Sequence, residues 1–190
     1  MKETTDPRNI LVDIAKIFER LNMKYMVTGG LAVVVWGRPR YTADIDTVVE
    51  MDSKDVDKLA KALRELGEHG YISEDAMRDA IRNDGEFNFV DGETGMKVDF
   101  WIARNTPFDK SRLARRMSKD INGQKVYFTS PEDLILIKLL WHAKSHSTRH
   151  TEDIESVLDI SGEKLDMEYL KKWAVKLSAD KTLEEILNKK

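Results

Sequence analysis

The sequence predicts an α+β fold: a mixed, partly antiparallel sheet flanked by helices, followed by a helical C-terminal part. Three observations predict it. Short apolar or alternating runs at Tyr25–Thr28, Asp44–Met51, Glu86–Phe89, Met96–Ala103 and Gln124–Thr129 read as strands. Between them lie stretches whose apolar residues recur at helical spacing. Beyond residue 129 only helical patterns remain, which divides the chain into a core at 1–129 and a helical region at 130–190 packed on it.

The first helix is residues 8–22, where Ile10, Leu11, Ile14, Ile17, Phe18 and Leu21 form one stripe. Tyr25–Thr28 is a buried strand that turns at Gly29-Gly30 into a short apolar helix, Leu31–Trp36. Gly37 and Pro39 end that helix, since glycine favours a C-terminus and proline cannot continue one. Ser53 is placed to cap a helix running to about Leu66, and Ser73 one from Glu74 to Asn83. Asp91–Gly95 reads as a hairpin turn between the strands that follow. Pro107–Ser118 reads as a helix whose basic face holds Lys110, Arg112, Arg115, Arg116 and Lys119. Ser130-Pro131-Glu132-Asp133 is a strong helix start. The apolar run Leu134–Trp141, broken only by Lys138, predicts a buried helix, and three more helices follow over Thr151–Leu158, Met167–Leu177 and Leu183–Leu187.

Composition excludes several classes of function. The 190 residues carry a net charge of −3, so no basic footprint announces tight nucleic-acid binding. There is no cysteine, which removes disulfides, thiolate zinc sites and cysteine nucleophiles. Met1–Pro7 is polar and lacks a signal-peptide core, and no apolar run reaches membrane-spanning length. With 34% charged residues of mixed sign, a soluble cytoplasmic protein without a membrane partner is the expectation.

The stretch from Val27 to Glu50 carries the chemistry. Strand alternation puts Asp44 and Asp46 on one face, with Ile45 and Thr47 on the other. Two carboxylates so placed can share divalent cations, and magnesium completes such a shell with substrate phosphates. Gly29 and Gly30 let the backbone approach a phosphate while helix amides point at it. A phosphate cradle followed by an aspartate pair is what phosphoryl or nucleotidyl transfer requires. In the return strand, Lys97, Asp99 and Trp101 share one face, so Asp99 faces the aspartate pair if the two strands are neighbours.

Gly29-Gly30 followed by Asp44-Ile45-Asp46 resembles the signature of the DNA polymerase β-type nucleotidyltransferase superfamily, and Lys97-Val98-Asp99-Phe100-Trp101 matches its third carboxylate. Arg40-x-Thr42-x-Asp44 resembles its small stand-alone prokaryotic branch, which includes AbiEii-type toxins and minimal nucleotidyltransferases. The resemblance implies a nucleotidyltransferase catalytic core over 1–129, with Asp44, Asp46 and Asp99 as catalytic metal ligands. A looser match, Ser130–Leu134 with Lys138, Arg149 and Asp153, implies Lys138 and Asp153 at the nucleotide site. Gly29, Gly30 and Arg40 complete the nucleotide-binding set: of Arg38 and Arg40, just before the acidic strand, Arg40 is the better placed to grip a triphosphate bidentately, with a surface salt bridge as the alternative for either.

The implied function is transfer of a nucleoside monophosphate from an NTP, with two Mg2+ ions, or Mn2+, and an RNA or protein acceptor. A small-molecule adenylyltransferase of the antibiotic-modifying type, a non-catalytic nucleotide-binding module and a toxin with an antitoxin partner are the alternatives. Nothing in the sequence sets an oligomeric state. His142, His146 and His150 recur at four-residue spacing, which suggests zinc, but Ser145, Ser147 and Thr148 suggest a loop there and no carboxylate stands as an obvious further ligand. There is no Gly-x-Ser-x-Gly elbow and no Walker-type Gly-Lys-Ser/Thr loop.

Overall fold

The computed structural model describes residues 7–189; Met1–Asp6, part of the polar N-terminus read above, and Lys190 lie outside the described residues. Its strands form one mixed sheet in the order β3-β4-β5-β2-β1-β7-β6. These are β1 (Tyr25–Val27), β2 (Asp44–Val49), β3 (Tyr71–Ile72), β4 (Glu86–Val90), β5 (Lys97–Ile102), β6 (Met117–Ile121) and β7 (Gln124–Phe128). The β2–β5 and β1–β7 pairs are parallel and the others antiparallel. Every residue pair across β1, β2 and β5 is in register, so the two faces of the sheet read directly from the sequence.

One face is the large apolar core. Val27, Ile45, Val49, Val98 and Phe100 lie on it, under α1 (Pro7–Arg20), α3 (Val56–Arg64) and α4 (Glu74–Asn83). Phe18 of α1 stacks on Tyr25 at 4.6 Å and meets Phe100 edge-on at 5.9 Å. The opposite face carries Asp46, Asp99, Val48, Trp101 and Met26 in register. Here α2 (Gly29–Trp36), α5 (Pro107–Arg115), α6 (Pro131–Ser145) and α7 (Thr148–Ser161) provide the surroundings. Two further helices, α8 (Met167–Lys176) and α9 (Asp180–Asn188), follow, with α8 packed on α6. Among the described residues, no helix is long and apolar enough to cross a membrane.

Most elements fall where periodicity places them, and the exceptions have physical causes. Asp52, not Ser53, caps the helix after β2: its side chain accepts from the Lys54 amide, and Asp55 reaches back to the Asp52 amide in a capping box. The first helical turn there is 3-10, over Ser53–Asp55. The helix after Pro107 stops at Arg115, three residues short of the expected Ser118, and the chain continues as edge strand β6. Arg112 is not on a solvated basic face but is buried, donating to Asp109 at 2.7 Å. Ser73 and Ser130 cap as expected, accepting from the Ala76 and Asp133 amides.

Candidate active site

The helix α2 begins at Gly29, two residues before the expected Leu31, so the glycine pair is its first turn rather than a turn preceding it. Gly29 has a φ of +61°, and a Cβ built there would lie 1.8 Å from Asp46 Oδ2. Only glycine leaves room for that carboxylate. A Cβ at Gly30 would lie 2.3 Å from Thr42 Oγ1, and the Gly30 amide donates to Asp46. The two glycines are therefore needed for close approach of an acidic strand, beyond the needs of a turn.

Asp46 and Asp99 are register partners on β2 and β5, and Asp44 pairs with Lys97 one step along the same face. The structure thus brings the three sequence-predicted carboxylates to one end of two adjacent parallel strands, beside Gly29 and Gly30. Each has a local partner: Thr42 Oγ1 donates to Asp44 Oδ1 at 3.2 Å, Lys97 Nζ lies 2.9 Å from Asp99 Oδ1, and the Gly30 amide donates to Asp46. Among the described residues, no group of three His, Cys, Asp or Glu is drawn together closely enough to hold a metal. Burial pushes the Asp46 carboxyl up, and the neighbouring charges of Asp44 and Asp99 add to that; Lys138 and the Gly30 amide oppose it.

Asp153, on α7, is 3% exposed and accepts from two cations. Arg40 grips it through Nε at 2.7 Å and Nη2 at 3.0 Å, and Lys138 Nζ lies 2.7 Å away. Burial alone would raise the Asp153 carboxyl, but the bonds from Arg40 and Lys138 together outweigh it and hold it below the usual carboxylate range. Burial lowers the Lys138 ammonium, while Asp153 and Asp46 favour its charge. Lys138 therefore stands between the buried Asp153 and the aspartate pair, as a cation with one arm of its field on each.

The histidine row is broken. The helix α6 ends at Ser145, His146 adopts a left-handed φ of 55°, and α7 starts at Thr148, so His142 and His150 lie on different helices. His142 Nδ1 faces the Ser147 carbonyl at 3.0 Å, and the His150 ring packs on Trp141 at 5.7 Å. Sequence reasoning missed two members of the site, Thr42 and Lys97. Both were findable: alternation already put Lys97 on the face of Asp99, and Thr42 stands in the Arg40-x-Thr42-x-Asp44 motif, though it lies outside any element.

A mixed sheet with a glycine-opened helix against an acidic strand puts the protein in the class of nucleotidyltransferase folds. The chain belongs to the family described as "Nucleotidyltransferase of unknown function (DUF6036)", whose model matches residues 8–190. No curated protein matches the sequence. Among solved structures, ANT(2'')-Ia in complex with adenylyl-2''-tobramycin is similar at a TM-score of 0.61 and 16% identity, with 90% of this chain and 97% of that chain covered. An antigenic nucleotidyltransferase-like protein from Paracoccidioides brasiliensis is similar at 0.55 and 18%, covering 95% and 91%. The lincosamide antibiotic adenylyltransferase LnuA, lincomycin-bound, is similar at 0.53 and 15%, covering 83% and 99%. At these identities the likeness is one of fold.

Proposed function

We propose that the protein transfers a nucleoside monophosphate from an NTP to the hydroxyl of an acceptor, with a divalent cation as cofactor. The observation that carries this reading is the register pairing of Asp46 with Asp99 beside a glycine that the Asp46 carboxylate makes obligatory. The donor set fits magnesium, or manganese in its place. It is all carboxylate oxygen, and magnesium is commonly held by one or two carboxylates together with substrate phosphates, so a closed protein cage is not required. Like charges at Asp44, Asp46 and Asp99, with burial raising the Asp46 carboxyl, leave a local excess of negative charge that a cation relieves. Bound there, the cation supplies charge neutralisation at the triphosphate.

The chain's own residues then have separate tasks. Asp44 and Asp46 hold the cation and so the triphosphate. Gly29 and Gly30 offer α2 amides to phosphate oxygens. Arg40 and Lys138, both already oriented by Asp153, face phosphate charge. Asp99 takes the proton of the acceptor hydroxyl as its oxygen bonds to the α-phosphorus and the bond to pyrophosphate breaks. Lys97 holds the Asp99 carboxylate until substrate arrives.

The acceptor is the open half of this reading: RNA or a protein is the first candidate. A small hydroxyl-bearing molecule is the second, supported by the fold likeness to ANT(2'')-Ia in complex with adenylyl-2''-tobramycin and to a lincosamide antibiotic adenylyltransferase. Incubation with each labelled NTP, magnesium and a cell extract tests it. Label should enter one class of acceptor and be lost with Asp99→Asn; tight NTP binding with no transfer to anything would make the protein a nucleotide-binding module. If the toxin-like branch is the right one, expression should arrest growth only with the three aspartates intact, and a partner protein should relieve the arrest.

A further inference from the structure

A second built site lies away from the carboxylates, between α5, α6 and α8. This cleft has a volume of 420 Å³, within the range of roughly 300–1,000 Å³ of small-ligand pockets. Its walls are apolar, formed by Phe108, Ile137, Leu140, Trp173 and Leu177, with the Phe108 and Trp173 rings 5.0 Å apart. Its polar lining is cationic: Arg104, Arg112 and Lys176 stand against the single carboxylate of Asp109.

Arg112 is the buried cation of the cleft. It is 5% exposed, and its guanidinium uses Nη1 alone, to Asp109 Oδ1 at 2.7 Å. Its Nε is buried without any partner. Asp109 has little left to give, since it also accepts from Thr106 Oγ1 at 3.1 Å and faces Arg104 at 4.0 Å. Asp133 acts on Arg112 only through its field, being bonded to Ser130 and to Tyr169. Lys176 forms no ion pair among the described residues and lies over the Trp173 ring at 4.7 Å. The cleft therefore combines excess positive charge with aromatic walls.

We infer that this cleft binds a small organic anion, a carboxylate or phosphate head on an aromatic or aliphatic body. The head takes the positive charge of Arg112, while the body lies against Phe108, Trp173 and Leu140. Arg104 and Lys176 at the rim raise the local concentration of anions. The site is independent of the transfer reaction proposed above, because none of Gly29, Asp44, Asp46 or Asp99 lines it.

The test is a titration of the 15N-labelled full chain, followed by NMR, with 4-phenylbutyrate, with phenyl phosphate and with the neutral 4-phenylbutyramide. Either anion should bind saturably, shifting the Trp173 indole and Arg112 Nε signals, while the amide binds about tenfold more weakly or not at all. The preferred anion tells carboxylate from phosphate. Arg112→Gln should weaken anion binding about tenfold, and Lys176→Glu, at the exposed rim, a few-fold; the latter decides the matter if Arg112→Gln does not fold. Equal binding of the amide and the anions, no saturation by either anion, or unchanged affinity in Lys176→Glu together with a folded Arg112→Gln would overturn the assignment.

Discussion

Asp46 and Asp99 face each other across the parallel β2–β5 pair, and the space beside Asp46 is made by the missing side chain of Gly29. Two carboxylates on adjacent strands, packed against a backbone that offers amides, form an arrangement that is unfavourable empty and favourable with a cation and a phosphate. The predictions below follow from that imbalance.

Gly29→Ala should fail at the site before it fails in the fold. A methyl group at a φ of +61° is strained, and it would meet Asp46 Oδ2 at 1.8 Å. The carboxylate must move or the helix start must shift, at a cost of about 1–3 kcal/mol. Urea unfolding should show that loss, and stabilisation by magnesium with NTP should disappear. A variant that keeps the full ligand response would show that Asp46 does not need its present position.

Asp46→Asn should stabilise the ligand-free protein. The folded-state pKa of Asp46 is raised, so its stability contribution is complete below the unfolded value of about 3.9 and is lost as pH rises through the folded value. At pH 7 the ionised group is therefore a burden that asparagine removes, and about 1 kcal/mol of relief would appear as roughly 2–4 °C in Tm. The gain should shrink as pH falls through the raised folded value and be gone below about 4. Magnesium and NTP together should stabilise the wild type more than either alone, and this variant not at all.

Asp153→Asn should do the reverse. Its removal leaves Lys138 and Arg40 without their shared partner in a buried place, a change that costs about 3–5 kcal/mol in comparable cases. The Asp153 carboxyl is held low, so its contribution is present above the unfolded value and lost as pH falls through the folded one. The difference between wild type and variant should thus be full at pH 7 and fade in acid below about pH 4. Denaturant midpoints across that range check both sign and window.

The fold class and the aspartate strand were legible because both rest on periodicity. Asp44 and Asp46 alternate with Ile45 and Thr47, and Asp99 with Val98 and Phe100, and the register preserves each face. What periodicity does not encode was missed. Edge strand β6 is exposed almost throughout, so no buried face marks it, and Arg116 before it and Lys119 within it extended a helical reading that began soundly at Pro107. β3 is two residues long. Arg112 read as solvent-facing because a stripe of cations looks alike whether it is solvated or folded over a carboxylate such as Asp109. The pairing of Asp153 with both Arg40 and Lys138 joins residues 113 and 15 positions apart in sequence, and only the packing of α7 against α6 and α2 produces it.

The most direct test of the central reading separates chemistry from binding. Nucleotide affinity by calorimetry and labelled-nucleotide transfer to an extract are measured for wild type, Asp44→Asn, Asp46→Asn and Asp99→Asn. A group that activates the attacking hydroxyl acts mainly in the transition state, so its loss lowers turnover more than affinity. Asp99→Asn should bind NTP within a few-fold of wild type and lose nearly all transfer, while Asp44→Asn and Asp46→Asn should lose both. Equal loss of affinity in all three variants would contradict the separate role of Asp99, and binding without transfer by the wild type, with all four NTPs, would contradict the enzyme itself.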